Sequence, residues 1–366
     1  MLYNSKSIGL EFFSSYIHLQ QIYQIGPTKM SLSEEKVVIS EADPLEGVNL
    51  TDYSYFPITY PRIEEFFTKQ TSMFWLPSEI DFSGDRDDWE ALDADSKAHL
   101  KFILAFFSQV DGLLTENLAE SFKRDTAMWK EVTFAYTAQE LMETIHNKTY
   151  STLIEMLISD PEEKKKILNG IKNYPAVGDI ARWGMAWMKS DRPVMERIVA
   201  VACIEGILFT SAFASIYWIK RKKILKGLCK ANEFIARDEA LHTDLGVAVY
   251  HHFTTVQDGN GRQALPDEKI HEIISSAVDV AEIFTRDALK VELIGLSPDD
   301  MMGYVKCTAD ILAQKFRAPK IYGCENPLSW MANIGLDNKT NFYEDRVTEY
   351  SAPIESAGEF SIDGDF

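Results

Sequence analysis

Hydrophobic positions recur every three or four residues over long stretches of the chain, which is the spacing of one face of an α-helix. Segments with the alternating pattern of a half-buried strand are scarce. The pattern predicts long helices over residues 96–125, 128–159, 194–218, 228–253, 267–294 and 298–317. We therefore expect an all-α fold in which long helices surround one core.

The two ends of the chain lack this periodicity. Residues 1–50 are mixed and polar, so we expect a poorly ordered N-terminal extension, and both Met1 and Met30 are candidate start residues. Residues 350–366 contain four acidic residues and no basic one, which predicts a flexible acidic tail. The helical domain is expected to span residues 51–349.

Local signals mark several of the helix boundaries. Asp95 or Ser96 is placed to cap the first long helix. Gly227 interrupts the pattern ahead of the helix predicted over 228–253. The basic run 220–223 is interpreted as a solvated helix end, with a localisation or docking role as the alternative.

One segment has the length and composition of a membrane span. Residues 198–218 contain a single charged residue, Glu205, and a basic run follows them. A helix that is hydrophobic on all sides can also be the centre of a large bundle. The mid-segment Glu205 and the absence of a second span favour the buried helix.

Composition and charge exclude several function classes. The chain has 366 residues, with 37 Lys and Arg against 56 Asp and Glu, for a formal charge of −19. Such a surface repels nucleic-acid phosphates and anionic lipid. The four cysteines form no CxxC pair, which argues against a thiolate zinc site and a disulfide framework. The first 30 residues resemble neither a signal nor a transit peptide. A reducing compartment, the cytoplasm, is expected.

Four predicted helices each place a carboxylate within an apolar face. These inward acids are Asp111, Glu143, Glu205 and Glu239. His146 follows Glu143 by three residues, and His242 follows Glu239 by three, so each forms a Glu-x-x-His pair. Asp111 precedes Glu143 by 32 residues and Glu205 precedes Glu239 by 34, so the acid and the pair repeat in order. Buried carboxylates need compensation, and two divalent cations would neutralise four of them. The pattern predicts a dinuclear metal site, with buried salt bridges as the alternative.

Two further features of the sequence bear on this hypothesis. A third Glu-x-x-His pair, Glu268 and His271, follows Pro266 at a helix start, where an acid favourably meets the helix dipole, and it is interpreted as structural. Tyr150 lies one turn beyond His146 on the same face. It is either an ordinary core tyrosine or a redox-active phenol shielded by Phe209, Phe213 and Ile235.

The chain resembles the small, radical-generating subunit of class I ribonucleotide reductase in its eukaryotic-type form, over about residues 53–366. The resemblance rests on FWLPSEIDFS, VDGLLTENL, METIHNKTY, IEGILFTSAFASIYWIK, IARDEALH, NPLSWM, TNFYEDRVTEY and the closing FSIDGDF. It implies a ferritin-like helical bundle. It also implies that the chain supplies a tyrosyl radical with which a separate large subunit reduces ribonucleotides.

The resemblance assigns roles to individual residues. The implied ligands of two iron ions are Asp111, Glu143, His146, Glu205, Glu239 and His242, although the sequence leaves manganese open. The radical falls on Tyr150. The implied transfer route runs through Trp75, hydrogen-bonded through Asp238 to His146, and later through Tyr350. The chain is further expected to form a homodimer and to dock the large subunit through Phe360 to Phe366.

Rival functions share parts of this pattern. A di-metal oxygenase or desaturase would use the same bundle but would need neither Tyr150 nor the closing peptide. A ferritin-like iron-storage protein would oxidise iron at such a site, but these chains are usually much shorter. A catalytically silent partner of another small subunit is disfavoured by the intact ligand set.

Overall fold

The computed structural model of the chain describes residues 54–117, 123–126, 129–255, 263–290 and 295–331. Helices and short turns make up this part of the protein, and no β-strand occurs in it, so the all-α prediction is confirmed. The helices are α1 (Pro61–Ser72), α2 (Asp85–Ala91), α3 (Ala94–Asn117), α4 (Lys123–Thr126), α5 (Lys130–Leu157), α6 (Pro161–Ile167), α7 (Gly170–Asn173), α8 (Pro175–Trp187), α9 (Val194–Cys203), α10 (Thr210–Arg221), α11 (Lys226–Thr255), α12 (Asp267–Ala288) and α13 (Pro298–Lys315).

Four long helical segments form the centre of the bundle. Helix α3 packs along α5, and the α9–α10 segment packs along α11. The apolar stripe predicted for α3 faces this core, where Leu100, Ile103, Leu104 and Phe107 are buried. Because each segment turns an apolar face inward, polar side chains on those faces are brought together in the middle of the bundle.

The apolar segment that imitates a membrane span is a core helix. Within Val194–Arg221, the most apolar window is 100% buried inside the protein, which confirms the buried-helix interpretation. The segment is not a uniform α-helix, because residues Ile204–Leu208 form a π-helical turn between α9 and α10. The Phe209 backbone N–H donates to the Ile204 carbonyl five residues earlier, at 3.1 Å. Such a turn inserts one residue and re-aims the side chains around it.

Several predicted boundaries were displaced. Asp93, rather than Asp95 or Ser96, caps α3, since its Oδ1 accepts from the Ser96 backbone N–H at 2.7 Å. The described part of this helix runs to Asn117 and Lys123–Thr126 is also helical, while residues 118–122 between them lie outside the described ranges. Helix α12 ends at Ala288 rather than 294, because Leu289 leaves the helical backbone conformation. No Gly or Pro marks that end, so the sequence carried no stop signal there.

The prediction that Gly227 interrupts the helical pattern is wrong, because Gly227 lies in the first turn of α11. A Cβ atom at this position would meet the Asp81 carbonyl oxygen at 2.8 Å and the Phe82 ring at 2.6 Å. The Asp85 carboxylate accepts hydrogen bonds from the backbone N–H groups of Gly227, at 2.9 Å, and Leu228, at 2.6 Å. A carboxylate from α2 thus caps the N-terminus of α11, and only glycine permits this close approach.

We expect Asp85→Ala to lower the free energy of unfolding by about 2 kcal/mol, because it leaves two buried N–H groups without acceptors. Asp87→Ala is the matched control, since Asp87 is an exposed acid in the same first turn of α2. Urea denaturation of both variants measures the difference. Equal losses would show that the capping contact does not stabilise the protein.

Candidate metal centre

Four helical segments deliver the six predicted ligands to one place. Glu143 and His146 lie on α5, and Glu239 and His242 lie on α11. In each pair the spacing of three residues puts both side chains on one face. Glu205 comes from the π-helical turn and Asp111 from α3. All six are buried, with at most 4% of any residue exposed.

The two Glu-x-x-His pairs face each other across the core. Nδ1 of His242 lies 2.8 Å from Glu143 Oε1 and 3.3 Å from Glu239 Oε2. Nδ1 of His146 lies 2.8 Å from Glu239 Oε1 and 3.6 Å from Glu143 Oε2. Each imidazole therefore approaches the glutamate of its own helix and that of the other. These reciprocal contacts between the two pairs form the pseudo-symmetric arrangement that the repeated spacing predicted.

The remaining two acids, Glu205 and Asp111, differ in how closely they approach the two pairs. Ligand atoms of Glu143, Glu205, Glu239 and His242 all lie within 4.8 Å of one another. Asp111 is outside that group. It is nevertheless close enough for the charges of Glu143 and Glu239 to raise its pKa. The structure thus brings five predicted ligands into direct proximity and places the sixth beside them.

The protonation of the metal-free centre reflects burial opposed by neighbouring charge. Burial raises the pKa of Asp111 and of Glu205 well above the usual range, and nearby glutamates raise both further. Burial would also raise the pKa of Glu143, but hydrogen bonds and charges from the two imidazoles lower it to about 2. Burial lowers the pKa of His242, yet its glutamate partners outweigh burial and raise it to about 10. Without metal, protons substitute for the missing positive charge.

Several ligand atoms have no hydrogen-bond partner within the described chain. Both carboxylate oxygens of Asp111 and Oε2 of Glu205 are buried in this condition. Buried polar atoms are ordinarily satisfied, so carboxylate oxygens without a partner in the protein fit a site that binds cations. Carboxylate oxygens with imidazole nitrogens suit iron or manganese. The residues present fit a dinuclear metal centre.

A hydrogen-bonded chain connects the centre to an indole. Trp75 Nε1 donates to Asp238 Oδ2 at 2.7 Å, and His146 Nε2 lies 3.3 Å from the same oxygen. Once Nδ1 of His146 loses its proton, Nε2 stays the donor to Asp238, and Nδ1 presents its lone pair on the side of the glutamates, where a metal ion could bind. Trp75 is 1% exposed, and its ring lies 6.2 Å from the His146 ring between centroids. The predicted contacts of Trp75, Asp238 and His146 are all present.

Two residues that the sequence pattern did not identify hold this arrangement. Gln139 Nε2 donates to Glu205 Oε1 at 2.5 Å. Arg237 binds Asp238 Oδ1 through Nε at 3.0 Å and donates to the Met73 carbonyl at 2.9 Å. Gln139 lies four residues before Glu143 on the same helix face, and this spacing was the available signal. For Arg237 the only signal was its position next to Asp238 in the sequence, and nothing in the helical spacing indicates that its side chain binds that neighbour.

Tyr150 is fully buried beside the centre, with 0% of its surface exposed. The ring of Phe107 stacks on it at a centroid distance of 4.4 Å and an interplanar angle of 1°. Phe107 in turn contacts the rings of Phe209 and Phe213, at 5.6 and 5.0 Å. The phenol oxygen has no hydrogen-bond partner among the described residues. This is an apolar pocket with the hydroxyl left unpaired inside it.

The remaining sequence predictions divide into two groups. Glu268 lies in the first turn of α12 and the His271 Nε2 lies 2.9 Å from the Pro319 carbonyl, so the structural interpretation of this third pair is confirmed. Lys220 and Arg221 form the exposed last turn of α10, as predicted. Tyr350, the extension 1–50 and the tail 350–366 lie outside the described residues.

The chain is similar to proteins of one known family. The model of the family "Ribonucleotide reductase, small chain" matches residues 52–327. The chain is 36% identical to the ribonucleoside-diphosphate reductase small chain of Spisula solidissima, over 95% of this chain and 91% of that one. The Saccharomyces cerevisiae Rnr4 homodimer structure is similar with a TM-score of 0.67 and 28% identity, covering 81% of this chain and 88% of that one.

A bacterial structure shares the fold at much lower identity. The dimanganese(II)-NrdF of Streptococcus sanguinis matches with a TM-score of 0.66 and 18% identity, over 74% of this chain and 93% of that one. The ferritin-like bundle predicted from the resemblance is therefore confirmed. Since the family model covers most of the helical region and the relatives align over nearly their whole length, this chain belongs to the small-chain family of ribonucleotide reductases.

Proposed function

We propose that this small chain of ribonucleoside-diphosphate reductase holds two iron ions between its carboxylates and imidazoles and carries a stable radical on Tyr150. The observation that carries the proposal is the buried phenol of Tyr150, whose hydroxyl has no partner and which lies near ligand carboxylates. Family membership favours this function over the oxygenase and iron-storage alternatives.

The ligands of the two ions are proposed to be Asp111, Glu143, His146, Glu205, Glu239 and His242. When bound, the metal pair supplies the oxidising power, derived from oxygen, that forms a protein radical. Iron is proposed for this chain, while the related bacterial structure is described as a dimanganese protein. The same oxygen and nitrogen donors accept both metals, so the metal that is loaded depends also on availability.

Tyr150 must lose one electron and one proton to become a neutral phenoxyl radical. Burial raises its pKa well above 10, and the charges of Asp111 and Glu239 raise it further. The phenol therefore stays protonated in the resting protein, and its proton has to leave together with the electron. The stacked ring of Phe107 and the surrounding apolar side chains exclude water and reductants, which favours a long-lived radical.

The oxidising equivalent is proposed to leave through Trp75. Asp238 accepts hydrogen bonds from both the indole and His146 on one oxygen, so a continuous hydrogen-bonded path joins the centre to Trp75. Burial raises the pKa of Asp238, but the Arg237 charge and these hydrogen bonds outweigh it and keep the carboxylate ionised. An ionised Asp238 can hold the indole proton in place while the electron moves.

The partner of this subunit is the large subunit of the reductase, as the name of its family implies. We propose that the acidic tail 350–366 docks there through Phe360 to Phe366 and that Tyr350 continues the transfer route. The division into an extension over 1–50, a helical domain over 51–349 and this tail belongs to the same proposal. A homodimer and a cytoplasmic location complete it. The homodimeric Rnr4 structure supports self-pairing.

Metal binding should release protons and strengthen as pH rises. The raised pKa values of His146 and His242 mean that both imidazoles bind protons in the metal-free protein at neutral pH. A ligating Nδ1 must lose its proton, so affinity rises about tenfold per pH unit for each proton released. Calorimetric titration with ferrous or manganous ion in buffers of different ionisation enthalpy should count at least these two protons.

His271→Gln is the control for that titration, since it removes the imidazole of the surface Glu-x-x-His pair and should leave the proton count unchanged. Glu205→Gln should weaken binding by about tenfold or more, because it removes an anionic ligand. An affinity that is independent of pH would contradict the assignment of the imidazoles as ligands.

Tyr150→Phe should retain both metals and the thermal stability of the protein but lose the radical, because it removes only the oxidisable hydroxyl. Electron paramagnetic resonance after reconstitution with ferrous iron and oxygen measures the radical, and metal analysis measures the load. Tyr217→Phe, at a second buried tyrosine in α10, should keep the signal. A persistent tyrosyl signal in Tyr150→Phe would overturn the assignment.

Two variants separate transfer from docking. Trp75→Phe should keep the radical and the affinity for the large subunit while nucleotide reduction falls at least about a hundredfold, because the indole is missing from the path. Deletion of Phe360 to Phe366 should also keep the radical but lose that affinity. Binding, radical content and turnover are measured on the same preparations. Full turnover in either variant would refute the corresponding role.

A further inference from the structure

Two thiols that take no part in the metal centre face each other between α13 and the segment that follows it. The Sγ atoms of Cys307, on α13, and Cys324, in the turn that follows, lie 2.9 Å apart. This is about 0.9 Å longer than a disulfide bond of about 2.0 Å. Both residues are free thiols. Their spacing of 17 positions gave no signal in the sequence, because proximity arises only when the chain turns back on α13.

A buried carboxylate fixes the turn that brings the thiols together. Asp310 Oδ1 accepts from the backbone N–H groups of Ile321 and Tyr322, both at 2.8 Å. Its Oδ2 accepts from Gly323 at 2.7 Å and from Cys324 at 3.4 Å. Consecutive N–H groups that converge on one anion form a rigid nest. Gly323 has a φ of +61°, a conformation that glycine adopts without strain.

The location of this nest determines where Cys324 points. Asp310 lies one turn beyond Cys307 on α13, so the carboxylate that binds the turn and the thiol that meets Cys324 share one helix face. Cys324 Sγ also lies 3.7 Å from the Gly303 carbonyl, one turn before Cys307. The thiol is thus held over α13 from both sides. Such positioning gives a high effective concentration of one thiol toward the other.

The two thiols differ in access to solvent. Cys307 is 8% exposed, and burial, with the hydrogen bond to Cys324, raises its pKa to about 12. Cys324 is partly exposed and is the thiol that a dissolved reagent reaches first. The other two cysteines, Cys203 and Cys229, are buried, and burial raises the pKa of each thiol. Reactivity toward oxidants therefore concentrates at Cys324.

We propose that Cys307 and Cys324 form a reversible thiol–disulfide exchange site whose co-substrate is a low-molecular-weight disulfide. Cys324, as thiolate, attacks one sulfur of that disulfide; its S–S bond breaks, a mixed disulfide forms and one small thiolate leaves. Cys307 then loses its proton and attacks Cys324 Sγ, which releases the second small thiolate. The balance is two protein thiols and one small disulfide giving one protein disulfide and two small thiols.

The cross-link joins α13 to the segment through which the chain continues toward residues 332–366. A reducing compartment keeps the pair as thiols, and an excess of small disulfide converts it. Since neither cysteine is a proposed metal ligand or part of the transfer route, the modification is independent of the radical function.

The test uses the full-length protein in buffers with fixed ratios of reduced to oxidised glutathione, followed by acid quenching and alkylation. Trypsin cuts after Lys306, Lys315 and Lys320, so the cross-link joins two separate peptides that mass spectrometry identifies. We expect the native protein to form this cross-link at least about tenfold more completely than the urea-unfolded chain at the same ratio. Cys203 and Cys229 should remain alkylatable, and dithiothreitol should restore all thiols.

Variants assign the order of attack. Cys307→Ser should stop the reaction at the mixed disulfide on Cys324, whereas Cys324→Ser should leave Cys307 unmodified. Cys229→Ser is the matched control and should form the cross-link as the parent protein does. Asp310→Asn should reduce cross-linking severalfold because the nest loses an anionic acceptor. The native protein should also unfold a few degrees higher when oxidised than when reduced, and Cys324→Ser should not.

The proposal is overturned if the native protein stays fully reduced while glutathione disulfide is in excess. It is equally overturned if Cys324 is trapped only as the mixed disulfide, or if cross-links form only between different chains. Radical content of Cys324→Ser should equal that of the parent protein after reconstitution, which separates this site from the failure or success of the radical assignment.

Discussion

The structure depends on the placement of four carboxylates in the apolar centre of a helical bundle. An ionised carboxylate removed from water is strongly destabilising unless positive charge is close to it. Two imidazoles supply part of that charge in the metal-free protein, and the raised pKa values of Asp111 and Glu205 show that protons supply more. A metal pair bound at this site would replace these protons. The buried carboxylates therefore favour binding of cations, and metal binding would be coupled to loss of protons from the carboxyl and imidazole groups.

The side chains around the centre serve to hold that charge in one geometry. Gln139 fixes one oxygen of Glu205, and Arg237 fixes one oxygen of Asp238. The other oxygen of Asp238 is shared by Trp75 and His146. Each of these contacts joins residues far apart in sequence, apart from the pair Arg237 and Asp238. The path from the centre to the indole is thus a consequence of packing between α11, α5 and the segment that precedes α2.

The apolar pocket of Tyr150 and the thiol pair of Cys307 show two uses of the same bundle. Around Tyr150 the packing leaves the hydroxyl without a polar partner among the described residues, and burial keeps the phenol protonated. Around Cys307 a buried carboxylate organises a turn so that two thiols meet. In both places the chemistry is set by what the backbone brings together, and neither place requires an unusual residue.

Helical periodicity and two Glu-x-x-His pairs on apolar faces were enough to predict the all-α fold and the carboxylates and imidazoles that meet in its core. The physical reason is that residues three or four apart on a helix share a face, so a local pattern already states which side chains turn inward. Asp111, Glu205 and Tyr150 were found by the same criterion, as acids or phenols interrupting hydrophobic stripes. The motif-level resemblance added the proposed roles of Trp75 and Asp238. Without it, Trp75 would have been interpreted as ordinary aromatic packing.

Contacts between distant segments were decided only by the tertiary structure. The π-helical turn Ile204–Leu208 inserts one residue at Glu205, and the hydrophobic periodicity of the segment did not predict it. Asp85 caps a helix about 140 positions away, and Gly227 is required for that contact, although in the sequence it resembled a helix break. Asp310 and Cys307 acquire their partners when the chain turns back after α13. The sequence determined which groups are chemically able to act, because residue type and helical face are local properties. The tertiary structure decided which of these groups meet, because distances across a folded core depend on segments that are far apart in the chain.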